Sequence, residues 1–201
     1  MESALSSQPL KKSFKSALCI IPPDNCWPRI QNIRVVHDKH YKRWMPHINV
    51  LYPFTHDPLI PELQSVLNDV KPFKLIFKSL DYFAHSTNKA TVWLNPETNG
   101  ALENLGAVLV NAFPTFNDLV LRGGELGYEP HLSLGQFNGE KKAFEAIKKF
   151  TPLFANDPIE FEVDRLCLIS RKDFHDPFAV DAEILFGSEG VANTNGSGTI
   201  E

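Results

Sequence analysis

The sequence predicts an α+β protein of two pseudo-symmetric lobes, each a sheet with outer helices, flanking a central cleft. Three observations predict it. Two segments share one pattern, Pro46-His47-Ile48-Asn49-Val50 and Pro130-His131-Leu132-Ser133-Leu134, with their histidines 84 residues apart. Each is followed by a helical apolar periodicity and then by two alternating, strand-like runs. That order is a weak internal repeat, and a pseudo-two-fold between its halves would set the two His-x-(Asn/Ser)-x strands face to face across a groove.

The elements follow from local pattern. Phe14 to Ile21 reads as a strand stopped by Pro22-Pro23. Asp24 is placed to cap a helix from Asn25 to Val36, with Pro28 in its first turn and Ile30, Ile33 and Val36 at helical spacing. Trp44 to Tyr52 is a strand carrying the first histidine, closed by Pro53, and Pro58 to Val70 is a helix with Leu59, Leu63, Val66 and Leu67 on one stripe. Strands are expected over Phe73–Phe83 and Ala90–Leu94, joined by a turn and ended by Asn95-Pro96. Ala101 to Phe113 is a helix, Tyr128 to Phe137 the second histidine strand, and Lys141 to Phe150 a basic amphipathic helix. Ile159–Ser170 and Phe178–Phe186 are two long strands joined by the loop from Arg171 to Pro177. The domain reading is a flexible N-terminus over 1–14, one bilobal domain over 15–186, and a disordered tail over 187–201, rich in Gly, Ser, Thr and Asn.

Composition narrows the function classes. In 201 residues, 43% are hydrophobic and 22% charged, ordinary values for a globular chain. The net charge of −4 argues against extended nucleic-acid binding, although a short oligonucleotide or a mononucleotide needs only a local basic patch. Three cysteines without paired spacing fit a reducing compartment. The first residues lack the basic start and apolar core of a secretory signal, and no run of about 20 apolar residues suggests a membrane span. The expectation is a cytoplasmic, or nuclear, monomer that does not enter a membrane.

The repeated motif carries chemistry. In a strand, residues i and i+2 share a face, so each histidine stands beside a polar partner, with apolar residues on the other face. A lone strand histidine is usually structural. Two matched histidines with polar neighbours inside apolar strands ask for a shared reason, because an unpaired buried polar group costs about 1–3 kcal/mol. Opening a phosphodiester needs a base for the nucleophile and an acid for the leaving oxygen, and imidazole serves both near neutral pH. The Ser133 hydroxyl and the Asn49 amide can donate to the non-bridging oxygens. No metal and no cofactor is required. His37 and His40, at i and i+3, lack a third clustered ligand and are read as non-metal residues.

The segments Arg43-Trp44-Met45-Pro46-His47-Ile48-Asn49-Val50-Leu51-Tyr52-Pro53-Phe54 and Tyr128-Glu129-Pro130-His131-Leu132-Ser133-Leu134-Gly135-Gln136-Phe137 resemble the paired His-x-Thr/Ser-x signatures of the 2H phosphoesterase superfamily, also called 2′-5′ RNA ligase-like. The stretch Tyr82-Phe83 with Thr91-Val92-Trp93-Leu94 is similar to what those proteins carry between the motifs, and the resemblance covers roughly residues 16–186. It implies a bilobal fold and metal-independent cleavage of 2′,3′-cyclic or related phosphates in nucleotides, oligonucleotides or RNA ends. It implies His47 and His131 as the catalytic acid–base pair, and Asn49 and Ser133 as phosphate-binding residues. Asn49 departs from the usual Thr or Ser. Two further substrate-binding candidates come from position. Tyr128, three residues before His131, is placed to stack on a base or to pack structurally. Arg171 is placed to hold a terminal phosphate through its guanidinium fork, or to be a solvated loop charge. The leading expectation is a cyclic phosphodiesterase. The alternatives are a nucleotide- or RNA-binding module with little turnover, which Asn49 motivates, and 2′-5′ RNA ligation by the reverse reaction.

Overall fold

The computed structural model describes residues 10–187, apart from 58, 124 and 126, together with 191–192. The expected flexible segment 1–9 and most of the expected disordered tail lie outside the described residues. The elements in chain order are β1 (Ser16–Ile20), α1 (Trp27–His37), β2 (Ile48–Leu51), α2 (Ile60–Leu67), β3 (Phe73–Ser86), β4 (Lys89–Glu97), α3 (Ala101–Ala112), α4 (Asp118–Arg122), β5 (Leu132–Phe137), α5 (Gly139–Ala155), β6 (Ile159–Val163), β7 (Arg165–Ser170), β8 (Ala179–Leu185) and β9 (Val191–Ala192).

The strands form two sheets, one of order β2-β1-β7-β8-β9 and one of order β5-β4-β3-β6. All pairings are antiparallel. The bilobal α+β architecture is as expected, but the lobes are not sequential halves. The strand pair after the first histidine, β3–β4, joins the sheet of the second histidine, and β7–β8 joins the sheet of the first. Both histidine strands are therefore edge strands.

The swap back into the first sheet happens inside what reads as one strand, Ile159–Ser170. The chain leaves one sheet after Val163 and enters the other at Arg165, pivoting on Asp164. Ile159 and Val163 are buried on odd positions, whereas Leu166 is buried on an even one, so the alternation slips by one at the pivot. Asp164 is fixed there by its side chain, which accepts from Arg165 Nε and Nη2, and by its carbonyl, which accepts the Phe186 N–H.

Other boundaries shift for local reasons. The strand β4 runs through Asn95-Pro96 to Glu97, because the register with β3 slips between Phe77 and Ser79 and the proline sits at that irregularity. In α1, Ile30 and Ile33 are buried as expected, but Val36 is 73% exposed and Arg34 takes the inward place. The expected flexible start is tied down at Ser13, which bridges to Phe54, and at Phe14, whose ring meets Tyr52 edge-on. Within the expected tail, Val191–Ala192 pairs with β8 and covers its outer edge.

One continuous core fills the space between the sheets and the helices, including Leu18, Ile48, Phe77, Val92, Leu132 and Phe154. A smaller apolar group occupies the opposite face of the first sheet: Ala17, Cys19, Cys167, Ile169 and Phe178, with Trp44 and Met45 packed against it. Asn49 pairs with Cys19 in register, so it lies on this second face. On the second sheet, Trp93 pairs with Ser133. Helix α1 ends against β5, where a Cβ on Gly135 would come within 2.5 Å of His37 Cβ. That contact carries the loop after α1 over the second sheet's edge. No helix among the described residues is long and apolar enough to cross a membrane.

Candidate active site

Both histidines lie one residue ahead of their strands, at the mouths of β2 and β5. Each ring is oriented in the same way. His47 Nδ1 donates to the Met45 carbonyl at 2.7 Å, and His131 Nδ1 donates to the Glu129 carbonyl at 2.9 Å. The proline between carbonyl and histidine, Pro46 or Pro130, fixes the backbone φ that allows this i to i−2 bond. With Nδ1 as donor, a neutral ring carries its lone pair on Nε2, the nitrogen left for chemistry.

Aromatic rings hold each imidazole in place. Trp44 stacks on His47 at 4.5 Å between centroids and 16° between planes. Phe83 meets His131 edge-on at 4.8 Å, and Trp93 lies 5.8 Å away. Trp93 is 3% exposed, and its indole N–H has no partner among the described residues. A hydrogen bond also ties the two motifs together: Tyr128 Oη donates to the Asn49 carbonyl at 2.7 Å, satisfying an edge-strand acceptor. The Tyr128 ring packs over Gly106, where a Cβ would approach within 2.8 Å. In this arrangement Tyr128 joins the lobes, and stacking on a base is not what its geometry offers.

The polar partners differ. Asn49 Nδ2 donates to His47 Nε2 at 3.1 Å, while Asn49 Oδ1 is buried without a partner among the described residues. Ser133 lines a cavity beside His131. Asn49 thus presents one spare amide hydrogen and one unmet acceptor, where a hydroxyl would present a single rotating group.

Arg171 is buried and committed elsewhere. Its Nη1 donates to the Phe174 carbonyl and its Nη2 to the Phe14 carbonyl. Its guanidinium lies 4.5 Å from the Phe178 ring, which in turn lies 3.9 Å from Trp44. Arg171 therefore backs the stack that positions His47, with both terminal nitrogens on loop carbonyls and Nε without a partner among the described residues. His37 stacks on Phe137, and His40 Nδ1 accepts from Arg43. Among the described residues, no group of three or more His, Cys, Asp or Glu is placed to hold a metal ion.

Two positioning residues carry no motif. Arg34 and Asp38 form an ion pair whose side chains are 2% and 3% exposed. Arg34 Nε and Nη2 both donate to Asp38 Oδ2, and Nη2 also donates to the Trp44 carbonyl at 2.9 Å. Asp38 Oδ1 accepts the His40 N–H. The pair thereby folds the loop from residue 38 to 44 and sets Trp44 under His47.

Burial pushes the pKa of His47 from 6.5 down to about 4, with the charges of Arg34 and His131 adding to the effect and the Met45 carbonyl and Asp38 opposing it. His131 is lowered by burial and by His85, against its carbonyl partner. Burial thus favours the neutral form of both rings, and a nearby anion would oppose that effect. A folded-state value near 4 means that the unfolded chain binds more protons below 6.5. The His47 contribution to stability is therefore full above pH 6.5, declines as the pH falls toward 4, and changes no further below that value. Urea unfolding measured from neutral pH downward is expected to show this decline, and His47→Gln is expected to make it shallower.

The sequence matches the model of the 2′-5′ RNA ligase superfamily over residues 22–173. Solved structures share the fold. The protein TT0787 of Thermus thermophilus superposes with a TM-score of 0.53 at 14% identity, covering 87% of this chain and 99% of that one. The E. coli protein LigT, crystallised with 3′-AMP, gives 0.52 at 14% identity over 87% and 98% of the two chains. LigT with NADP+ gives 0.51 at 14% identity, over 88% and 99%. No curated protein sequence matches significantly. The match spans both histidine motifs and most of the two sheets that present them, and the chain belongs to the 2′-5′ RNA ligase superfamily, the 2H phosphoesterases.

Proposed function

We propose that the protein is a metal-independent phosphodiesterase that opens a 2′,3′-cyclic phosphate on a nucleotide or RNA end. One observation carries this reading. Two imidazoles, on the edge strands of two sheets joined by the Tyr128 bridge, are held by the same carbonyl bond, with Nε2 free of the proton in both. One Nε2 takes a proton from water as it attacks phosphorus. The other ring, protonated in the field of the bound phosphate, gives its proton to the departing ribose oxygen. Asn49 Nδ2 and the Ser133 hydroxyl are the donors this reading assigns to the charge that builds on phosphorus oxygens. LigT has been crystallised with 3′-AMP and with NADP+, and nucleotide binding at the corresponding cleft fits this reading.

A second reading has its own observation. Because Asn49 Nδ2 already occupies His47 Nε2, that nitrogen must release the amide before it takes a proton. A binding module with slow turnover would look like this. Incubation with 2′,3′-cyclic nucleotides in EDTA, followed by product analysis, separates the two. The phosphodiesterase reading expects a 2′- or 3′-monophosphate at an undiminished rate in EDTA. Nucleotide binding without product, together with turnover gained by Asn49→Thr, would establish the binding module instead. Run with RNA ends, the same assay scores joining through a 2′-5′ linkage as the reverse reaction.

A further inference from the structure

A cavity of about 240 Å³ opens beside His131 and Ser133, and neither His47 nor Trp44 lines it. Its wall carries Lys39 from the loop after α1, Lys89 from the start of β4, and the rings of His40 and His85. No carboxylate lines it, in a chain of net charge −4. Neither lysine forms an ion pair among the described residues.

The nearest acid is closed to the cavity. Asp38 Oδ2 is held by Arg34, and Oδ1 accepts from the His40 N–H and from Gln136 Nε2 at 3.2 Å. Arg43 Nη2 donates to His40 Nδ1. A guanidinium has no acceptor, so a neutral His40 must carry its proton on Nε2. Asp38, Arg43, Lys39 and Lys89 all act on the His40 charge, the carboxylate favouring it and the three cations opposing it. His85 Nε2 is paired with Thr91 Oγ1 at 2.9 Å. The result is a concave, cation-rimmed site with a donor from His40, continuous with the second histidine motif.

We propose that this cavity holds a second, unreactive phosphate of the substrate, the 5′-phosphate of the nucleotide whose 2′,3′-phosphate lies between His47 and His131. The proposal rests on the phosphodiesterase reading and sharpens its substrate class. The preferred substrate is an RNA end or a 5′-phosphorylated nucleotide, not a nucleoside cyclic phosphate alone. A pair of lysines supplies point charges suited to a phosphate whose orientation need not be fixed. The reacting phosphate, by contrast, is met by directional donors.

Titration calorimetry of the full chain with 3′-AMP and with adenosine 3′,5′-bisphosphate tests it without requiring turnover. The bisphosphate is expected to bind at least about tenfold tighter, with a salt dependence steeper than that of 3′-AMP because more charge is paired. In the double variant Lys39→Ala/Lys89→Ala, the ratio of the two affinities is expected to fall to about one. Equal affinities in the parent, a ratio that survives in the variant, or binding of neither nucleotide would overturn the proposal. A protein that fails to open cyclic phosphates yet shows the lysine-dependent ratio would refute the phosphodiesterase reading and leave the second-phosphate site standing.

Discussion

His131→Ala is expected to lower the turnover of a 2′,3′-cyclic nucleotide by about 10²–10⁴-fold, and His47→Ala by a similar factor. Both rings are oriented by the same kind of Nδ1–carbonyl bond, and the proposal gives each of them a proton to carry. The loss should fall mainly on kcat, because proton transfer is made only in the transition state. The two variants should differ in stability. His47→Ala leaves Asn49 Nδ2 without its acceptor and opens a gap over Trp44, at a cost of about 1–3 kcal/mol. His131→Ala removes a ring held by edge contacts and should be milder. Steady-state kinetics alongside urea unfolding separates the chemical loss from the structural one. A variant that retains parental kcat would remove its histidine from the mechanism.

Arg34→Ala is expected to destabilise the fold by about 3–5 kcal/mol, because it strands the buried carboxylate of Asp38. The same change frees the Trp44 carbonyl and loosens the loop that carries Trp44 beneath His47. Activity should therefore fall even below the unfolding transition. Arg34→Ala/Asp38→Ala should recover part of the stability, since no unpaired charge remains, but not the position of Trp44. An Arg34→Ala loss under about 1 kcal/mol in urea unfolding would show that the pair is not the anchor of this loop.

Much of the site was legible because strand parity is a local property. Asn49 and Ser133 stand two residues from their histidines, and Ile48, Leu132 and Leu134 turn into the core as their positions require. The supporting residues were not legible. Arg34 lies on a helix where charge normally faces water, and its burial depends on Asp38 four residues on and on a carbonyl ten residues on. Trp44 precedes its strand, so periodicity says nothing of its stacking on His47. Tyr128 stands three residues before His131 and Arg171 closes a strand, but an edge-strand carbonyl takes the Tyr128 hydroxyl and two loop carbonyls take Arg171 Nη1 and Nη2.

The crossed lobes were hidden for a different reason. A period of helix and strand pair reports order along the chain, and says nothing of which sheet a hairpin joins. The sequence shows no break there, since Ile159, Phe161, Val163, Cys167 and Ile169 keep one parity through Asp164; the switch shows only in the fold, where Val163 and Leu166 both face the main core from positions three apart. In a single continuous strand those two side chains would point to opposite faces.

The central claim is that His47 and His131 act as one acid–base unit on a phosphodiester without a metal. Turnover of a 2′,3′-cyclic nucleotide in EDTA by the parent, His47→Ala, His131→Ala and the double variant tests it most directly. A shared unit predicts that the double variant is about as slow as the slower single variant, since the first loss already disables the proton relay. Losses that multiply, single variants that keep the parental rate, or a parent silenced by EDTA would contradict it.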